Sequence, residues 1–219
     1  MKLLIAIGLG LAGLALAGCP STGTSGKTAT TGTTTSRPPI DAADLKPDAL
    51  PYASGLLVMG GTELAVKVEK KQVSEREFKL ISSLAQSGTK LEEETYLLDK
   101  TTFQYVGTNV ESFDPPLTIA NLPFTVPSNW EWTGKYVWDQ QNGPMKAKAT
   151  ITAEPSPLNL PGGQFDDAIL SLVKLTIEEP NGNTADLELK FWLAPGRGVI
   201  QREIAASSTR QPAPQQTEP

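Results

Sequence analysis

The chain has 219 residues, 24 acidic and 19 basic side chains, a net charge of −5, no histidine and a single cysteine. The acidic balance argues against the grip on phosphates that nucleic-acid binding requires, and one cysteine excludes an internal disulfide. Without histidine, the commonest general base and metal ligand and the Ser-His-Asp triad are missing, so no metal, no cofactor and no enzymatic activity is expected.

Met1-Lys2 is followed by Leu3 to Gly18, sixteen residues of Leu, Ile, Ala and Gly only. A positive start, an apolar run and a small-residue end make a secretory signal peptide over residues 1–18. The run is short of the ~20 residues of a spanning helix. It ends in Leu16-Ala17-Gly18-Cys19, which resembles the lipobox of bacterial lipoproteins: an aliphatic residue, two small ones, then cysteine. That resemblance implies that signal peptidase reads Leu16, Ala17 and Gly18 and cuts before Cys19. It also implies diacylglycerol on the Cys19 thiol and an acyl chain, such as palmitate, on the new amino terminus. The lone cysteine, otherwise an unexplained thiol in a secreted protein, is then accounted for. Two long chains at about 0.8 kcal/mol per buried CH2 contribute on the order of 20 kcal/mol, an effectively permanent anchor. The expected location is extracytoplasmic, lipid-anchored to the cell membrane or the outer membrane. Pro20 follows the cysteine where some enterobacterial lipoproteins carry a retention aspartate, which leaves the outer membrane open.

Residues 19–50 read as a disordered tether. Fourteen of the seventeen residues from Pro20 to Ser36 are Ser, Thr or Gly, too little apolar surface to offset ordering entropy. Arg37-Pro38-Pro39 and Lys46-Pro47 continue it, with a short helical turn possible at Asp41 to Leu45. About 30 residues extend to at most about 100 Å. At the other end, 207–219 reads as a disordered tail rich in Pro and Gln. Residues 51–206 are left as one domain.

That domain reads as strands. Lys146 to Glu154 and Asp186 to Leu193 alternate polar and apolar residues, as half-buried strands do, and Ile169, Val173, Leu175 and Ile177 share a face. Weaker candidates are Leu64–Val73, Glu77–Leu84, Lys90–Leu98, Phe103–Thr108, Pro116–Ile119 and Gly134–Asp139. Asn181-Gly182 and Asn142-Gly143 suit tight hairpins. Consecutive strands with short turns give an all-β fold, a single antiparallel meander.

Three later segments occur in a familiar order: Trp130-Glu131-Trp132-Thr133-Gly134, Leu160 to Ala168, and Phe191-Trp192-Leu193-Ala194-Pro195-Gly196-Arg197-Gly198-Val199-Ile200. They resemble signatures of bacterial envelope lipoproteins with an all-β domain of unknown function, over roughly residues 128–204. Arg197 and Ile200 depart from the usual small or valine residues, and Asp167 interrupts the second segment. The resemblance implies that the all-β meander is a single curved antiparallel sheet, an open or half-barrel around an apolar interior.

Carboxylate chemistry has three candidate runs: Glu92-Glu93-Glu94, Asp166-Asp167 and Glu178-Glu179. Strand neighbours point to opposite faces, so only Glu92 and Glu94 share one; a solvated face or hairpin end is the expectation for all three runs. Trp130, Trp132, Tyr136 and Trp138 share parity and form an aromatic stripe, read first as core and alternatively as contacts for an apolar ligand. Trp192 has the opposite parity to Leu187, Leu189, Phe191 and Leu193. Two functions follow as expectations. One is a non-enzymatic lipoprotein binding a hydrophobic small molecule in its curved sheet. The other is a structural or assembly lipoprotein contacting another envelope protein.

Overall fold

The computed structural model describes residues 39–47, 54–59, 62–123, 125–138, 143–160 and 163–210, with side chains for all of these except 54–59, 62–63 and 206–210. A short helix α1 (Ala42–Leu45) precedes the strands β1 (Ser54–Met59), β2 (Thr62–Gln72), β3 (Glu77–Leu84), β4 (Lys90–Leu98), β5 (Thr102–Gly107), β6 (Glu111–Asn121) and β7 (Ser128–Trp138). There follow β8 (Met145–Pro155), β9 (Leu158–Leu160), β10 (Gly163–Phe165), β11 (Ile169–Glu178), β12 (Thr184–Ala194) and β13 (Gly198–Arg210).

Eleven of these strands form one antiparallel sheet in sequence order, broken only where the β9–β10 hairpin is inserted between β8 and β11. The meander expected from turn chemistry is therefore observed. Glu179 N–H donates to the Asn183 carbonyl at 2.9 Å, and Gly182 holds φ +83°, the positive angle that favours glycine in a tight hairpin.

The sheet curls into an open half-barrel. The Ser171 hydroxyl on β11 donates to the Ile119 carbonyl on β6 at 2.7 Å, and the ring of Phe191 on β12 lies 5.2 Å from that of Tyr105 on β5. Along β8, Ala147, Ala149, Ile151 and Ala153 are buried while the residues between them are exposed, the period of two that half-buried strands require. β12 departs from that rule at its end, where Phe191 to Ala194 are all buried. Phe191 and Leu193 face the main core. Trp192 and Ala194 face outward, where Leu158, Leu160 and Phe165 of the hairpin cover them.

The structure moves both expected boundaries of the domain. The segment Ile40–Pro47, assigned to the tether, is packed: Leu45 is fully buried and Ile40 nearly so, both within the main core. α1 is held by Asp44 N–H on the Asp41 carbonyl and by Asp41 N–H on the Asp44 carboxylate. The Gly196 N–H then donates to the Asp44 carbonyl at 2.5 Å, and the Lys70 ammonium donates to the Pro47 carbonyl. At the other end β13 continues to Arg210, with Thr184 opposite Arg210 and Ala185 opposite Thr209. Residues 207–210 are thus strand, and 211–219 lie outside the described residues.

Sequence periodicity missed β1, and β6 runs well beyond the four residues expected, through Pro115 and Pro116. Those prolines cannot donate to a ladder, and β6 pairs with β7 only over Glu111 to Asp114.

Candidate functional site

Leu16, Ala17, Gly18 and Cys19 lie outside the described residues. The aromatic stripe is described in full. Trp132 and Tyr136 are buried, Trp130 is half-buried against the same core, and Trp138 is 38% exposed. The Trp132 ring meets Phe113 edge-on at 5.8 Å, and Phe113 packs on Tyr136 at 5.3 Å. The indole N–H groups of Trp130 and Trp132 donate to the carbonyls of Thr118 and Pro116 at 3.0 and 3.2 Å. Those acceptors lie on β6 just past the point where it leaves β7. Two tryptophans therefore supply side-chain hydrogen bonds where the ladder stops, since a buried carbonyl without a partner is costly. Gly134 belongs to the same construction, because a Cβ there would come within 2.5 Å of the Trp132 ring and 2.7 Å of the Asp114 carbonyl.

Beyond the aromatic centre, away from α1, the interior turns ionic. Arg202 on β13 points inward with its side chain 9% exposed. Its Nη2 donates to Glu92, its Nε lies 3.2 Å from Glu94 and its Nη1 3.6 Å from Glu111. Three tyrosines complete the shell. Tyr96 donates to Glu94, while Tyr105 and Tyr136 donate to the two oxygens of Glu111 at 2.8 and 3.2 Å. The guanidinium also sits 5.4 Å from the Tyr105 ring centre, within cation–π range.

Burial raises the pKa of Glu92 above its ordinary value, against the pull of Arg202. Burial likewise pushes all three tyrosines up, with Glu94 or Glu111 adding to the effect, so their hydroxyls remain donors. The Arg202 guanidinium is disfavoured by burial, but Glu94 and the other surrounding groups outweigh this and raise its pKa.

Glu92 and Glu94 do share a face, as their spacing requires, but the solvated face expected for them is corrected: they point into the barrel. Glu93 takes the opposite face, between Lys79 at 2.6 Å and Lys90 at 3.0 Å. Asp166, Asp167 and Glu178 are exposed. Arg202 had no sequence signal of its own. Register explains this: Leu193 pairs with Val199 and Trp192 with Gln201, leaving Ile200 as an extra residue. The bulge reverses parity beyond it, so Arg202 faces inward opposite Phe191. Among the described residues, no group of three or more His, Cys, Asp or Glu is arranged to hold a metal ion.

Among the described residues, the concave face thus carries α1 at one end, aromatic rings in the middle, and an arginine–glutamate cluster toward the other. Glu111 spends both carboxylate oxygens on tyrosines, and Glu94 is held between Tyr96 and Arg202. This arrangement fixes strands to one another across the barrel. No protein family, curated protein or solved structure matches the chain, so the reading of its interior rests on this geometry.

Proposed function

We propose that the chain is a membrane-tethered extracytoplasmic lipoprotein, held by lipid on Cys19, whose β domain is non-enzymatic and contacts another envelope protein. The observation that carries the partner-contact reading over an internal carrier is the occupied concave face. Trp130, Trp132, Tyr136 and the inward carboxylates are committed to neighbouring groups, which leaves the open end of the half-barrel as the working surface. Exposed apolar side chains point to the end away from α1. Val110 is 50%, Ile204 39% and Trp138 38% exposed, and Trp138 lies opposite Glu111, the neighbour of Val110. The absence of histidine and the engagement of Glu92, Glu94 and Glu111 with Arg202 support a role without chemistry.

The anchor is tested by metabolic labelling with a clickable fatty acid: label and membrane retention are expected for the native chain and lost in Cys19→Ser. Partner contact is tested by a photoreactive residue in place of Val110 in intact cells. A discrete adduct is expected there and none from Thr152 on the exposed face of β8. Equal or absent adducts at both positions refute the docking end. The second reading, an apolar ligand, is favoured by one feature outside the aromatic stripe, a cleft beside α1.

A further inference from the structure

A cleft of about 560 Å³ opens where Ala42, Ala43, Lys46 and Pro47 meet the β2–β3 connection and the β4–β5 turn. Its floor is apolar: Phe78 and Leu98 line it together with Ala42, all against the main core. Its rim is charged, with Lys46, Arg76 and Lys100 against Glu75 and Asp99. Asp99 is already engaged, accepting the Thr101 and Thr102 N–H groups at 2.8 Å and facing Arg76 at 3.7 Å. Lys46, Lys100 and Glu75 have no partner among the described residues. In a chain of net charge −5, this rim carries more cations than anions. The volume falls within the roughly 300–1,000 Å³ of pockets that take small organic ligands.

We propose that this cleft binds a single-chain anionic amphiphile, a fatty carboxylate, with its acyl chain over Phe78 and Leu98 and its head at the Lys46 and Lys100 rim. The apolar floor selects an acyl chain over a soluble anion, and the unpaired rim cations select a carboxylate over an alcohol of the same length. A lysine ammonium is strongly hydrated, so the head stays at the wet rim while the chain is buried. This site is independent of the anchor and of the docking end: it needs neither Cys19 nor a protein partner.

The test uses the full chain carrying Cys19→Ser, so that no acyl group of its own competes. Equilibrium dialysis measures radiolabelled palmitate against hexadecanol. Palmitate is expected to bind one per chain, at least tenfold more tightly than hexadecanol. The pair Lys46→Glu and Lys100→Glu together is expected to weaken palmitate at least tenfold with hexadecanol unchanged, far-UV circular dichroism reporting the fold. Ala42→Trp, which fills the cleft, is expected to remove both ligands. Absence of palmitate binding overturns the proposal. So does equal binding of palmitate and hexadecanol, or palmitate binding that survives both the charge reversal and Ala42→Trp. If Ala42→Trp fails to fold, the exposed lysine pair decides alone. Loss of labelling at Cys19 in cells, by contrast, bears only on the anchor.

Discussion

Arg202→Met removes the one cation that three inward carboxylates share while keeping much of its packing. Pairs at 3.2 and 3.6 Å correspond to about 5 kcal/mol of gross attraction each at an effective dielectric of ~20. In the native protein, desolvation offsets most of this. The substitution removes the attraction but leaves the carboxylates desolvated, a net cost of about 3–5 kcal/mol. At ~2–4 °C per kcal/mol for a domain of this size, Tm falls by about 6–20 °C. The cost depends on pH with a definite sign. Burial already holds Glu92 above its ordinary 4.5, and losing Arg202 removes the main influence pulling it down. Between 4.5 and the raised value, the folded variant binds more protons than the unfolded chain, so its stability falls as pH rises. Urea melts followed by circular dichroism at pH 5, 6, 7 and 8 should show the smallest loss at pH 5 and the largest at pH 8. A loss below about 1 kcal/mol at pH 7, or one independent of pH over that range, refutes the buried-cluster reasoning. Glu92→Gln and Glu94→Gln added to Arg202→Met should recover part of the loss, because neutral side chains carry no unpaired charge.

Leu45→Ala should cost about 2–5 kcal/mol as a large-to-small core change, and hydrogen exchange of the Gly196 amide should quicken because its acceptor is the Asp44 carbonyl. Gly198→Ala should cost about 1–3 kcal/mol, since φ is +69° and the added Cβ would lie 3.0 Å from the Leu45 carbonyl; an unchanged urea midpoint would contradict the docked segment. Trp132→Phe keeps a ring but leaves the Pro116 carbonyl without its donor, an expected loss of about 1–3 kcal/mol, whereas a ligand-lining role would leave stability intact and change binding instead. Hydrogen bonds from Lys79 and Lys90 hold Glu93 down to about 2, so its stabilising contribution is present above pH 4.5 and fades as pH falls toward 2. Glu93→Gln should therefore cost about 0.5–1 kcal/mol at pH 7, a difference from the native chain that persists in melts at pH 5 and narrows at pH 4 and 3.

The sheet was readable from the sequence because its strands are half-buried and keep a period of two. β3 and β4 begin and end where periodicity set them, and Asn181-Gly182 marked its hairpin. The curvature followed only through resemblance. What escaped has identifiable causes. Ile40 and Leu45 are two apolar residues in a polar, proline-rich stretch, too few to register as an element, yet the barrel end has room for both. Arg202 escaped because one extra residue at Ile200 reverses the face of everything after it, and no local pattern announces a bulge. Spacing puts Glu92 and Glu94 on one face, but nothing local says that this face is buried, since its burial depends on an arginine 110 residues beyond Glu92. Parity puts Trp192 opposite the main core; the hairpin that buries it is two three-residue strands, too short for periodicity to detect.

Pro195-Gly196-Arg197-Gly198 gains a second role from α1. In sequence it needs only to reverse the chain between β12 and β13. In the fold its two glycines also form the seat of α1: one N–H holds Asp44, and the missing Cβ of Gly198 leaves room for the Leu45 carbonyl and the Pro47 ring. The turn therefore joins the segment nearest the proposed anchor to the last two strands of the sheet. If Cys19 carries lipid, about 20 residues rather than about 31 separate the thiol from the first docked residue, and their fully extended reach drops from about 100 to about 70 Å. Because the segment enters at the α1 end, the cleft proposed for an amphiphile lies beside the root of the proposed tether. Along β4, Glu92 stands six residues from Leu98, about 20 Å at the rise of a strand, so the exposed Val110 and Trp138 lie toward the far end. One short seat thus gives the half-barrel two unlike ends, the proposed membrane side and the proposed partner side.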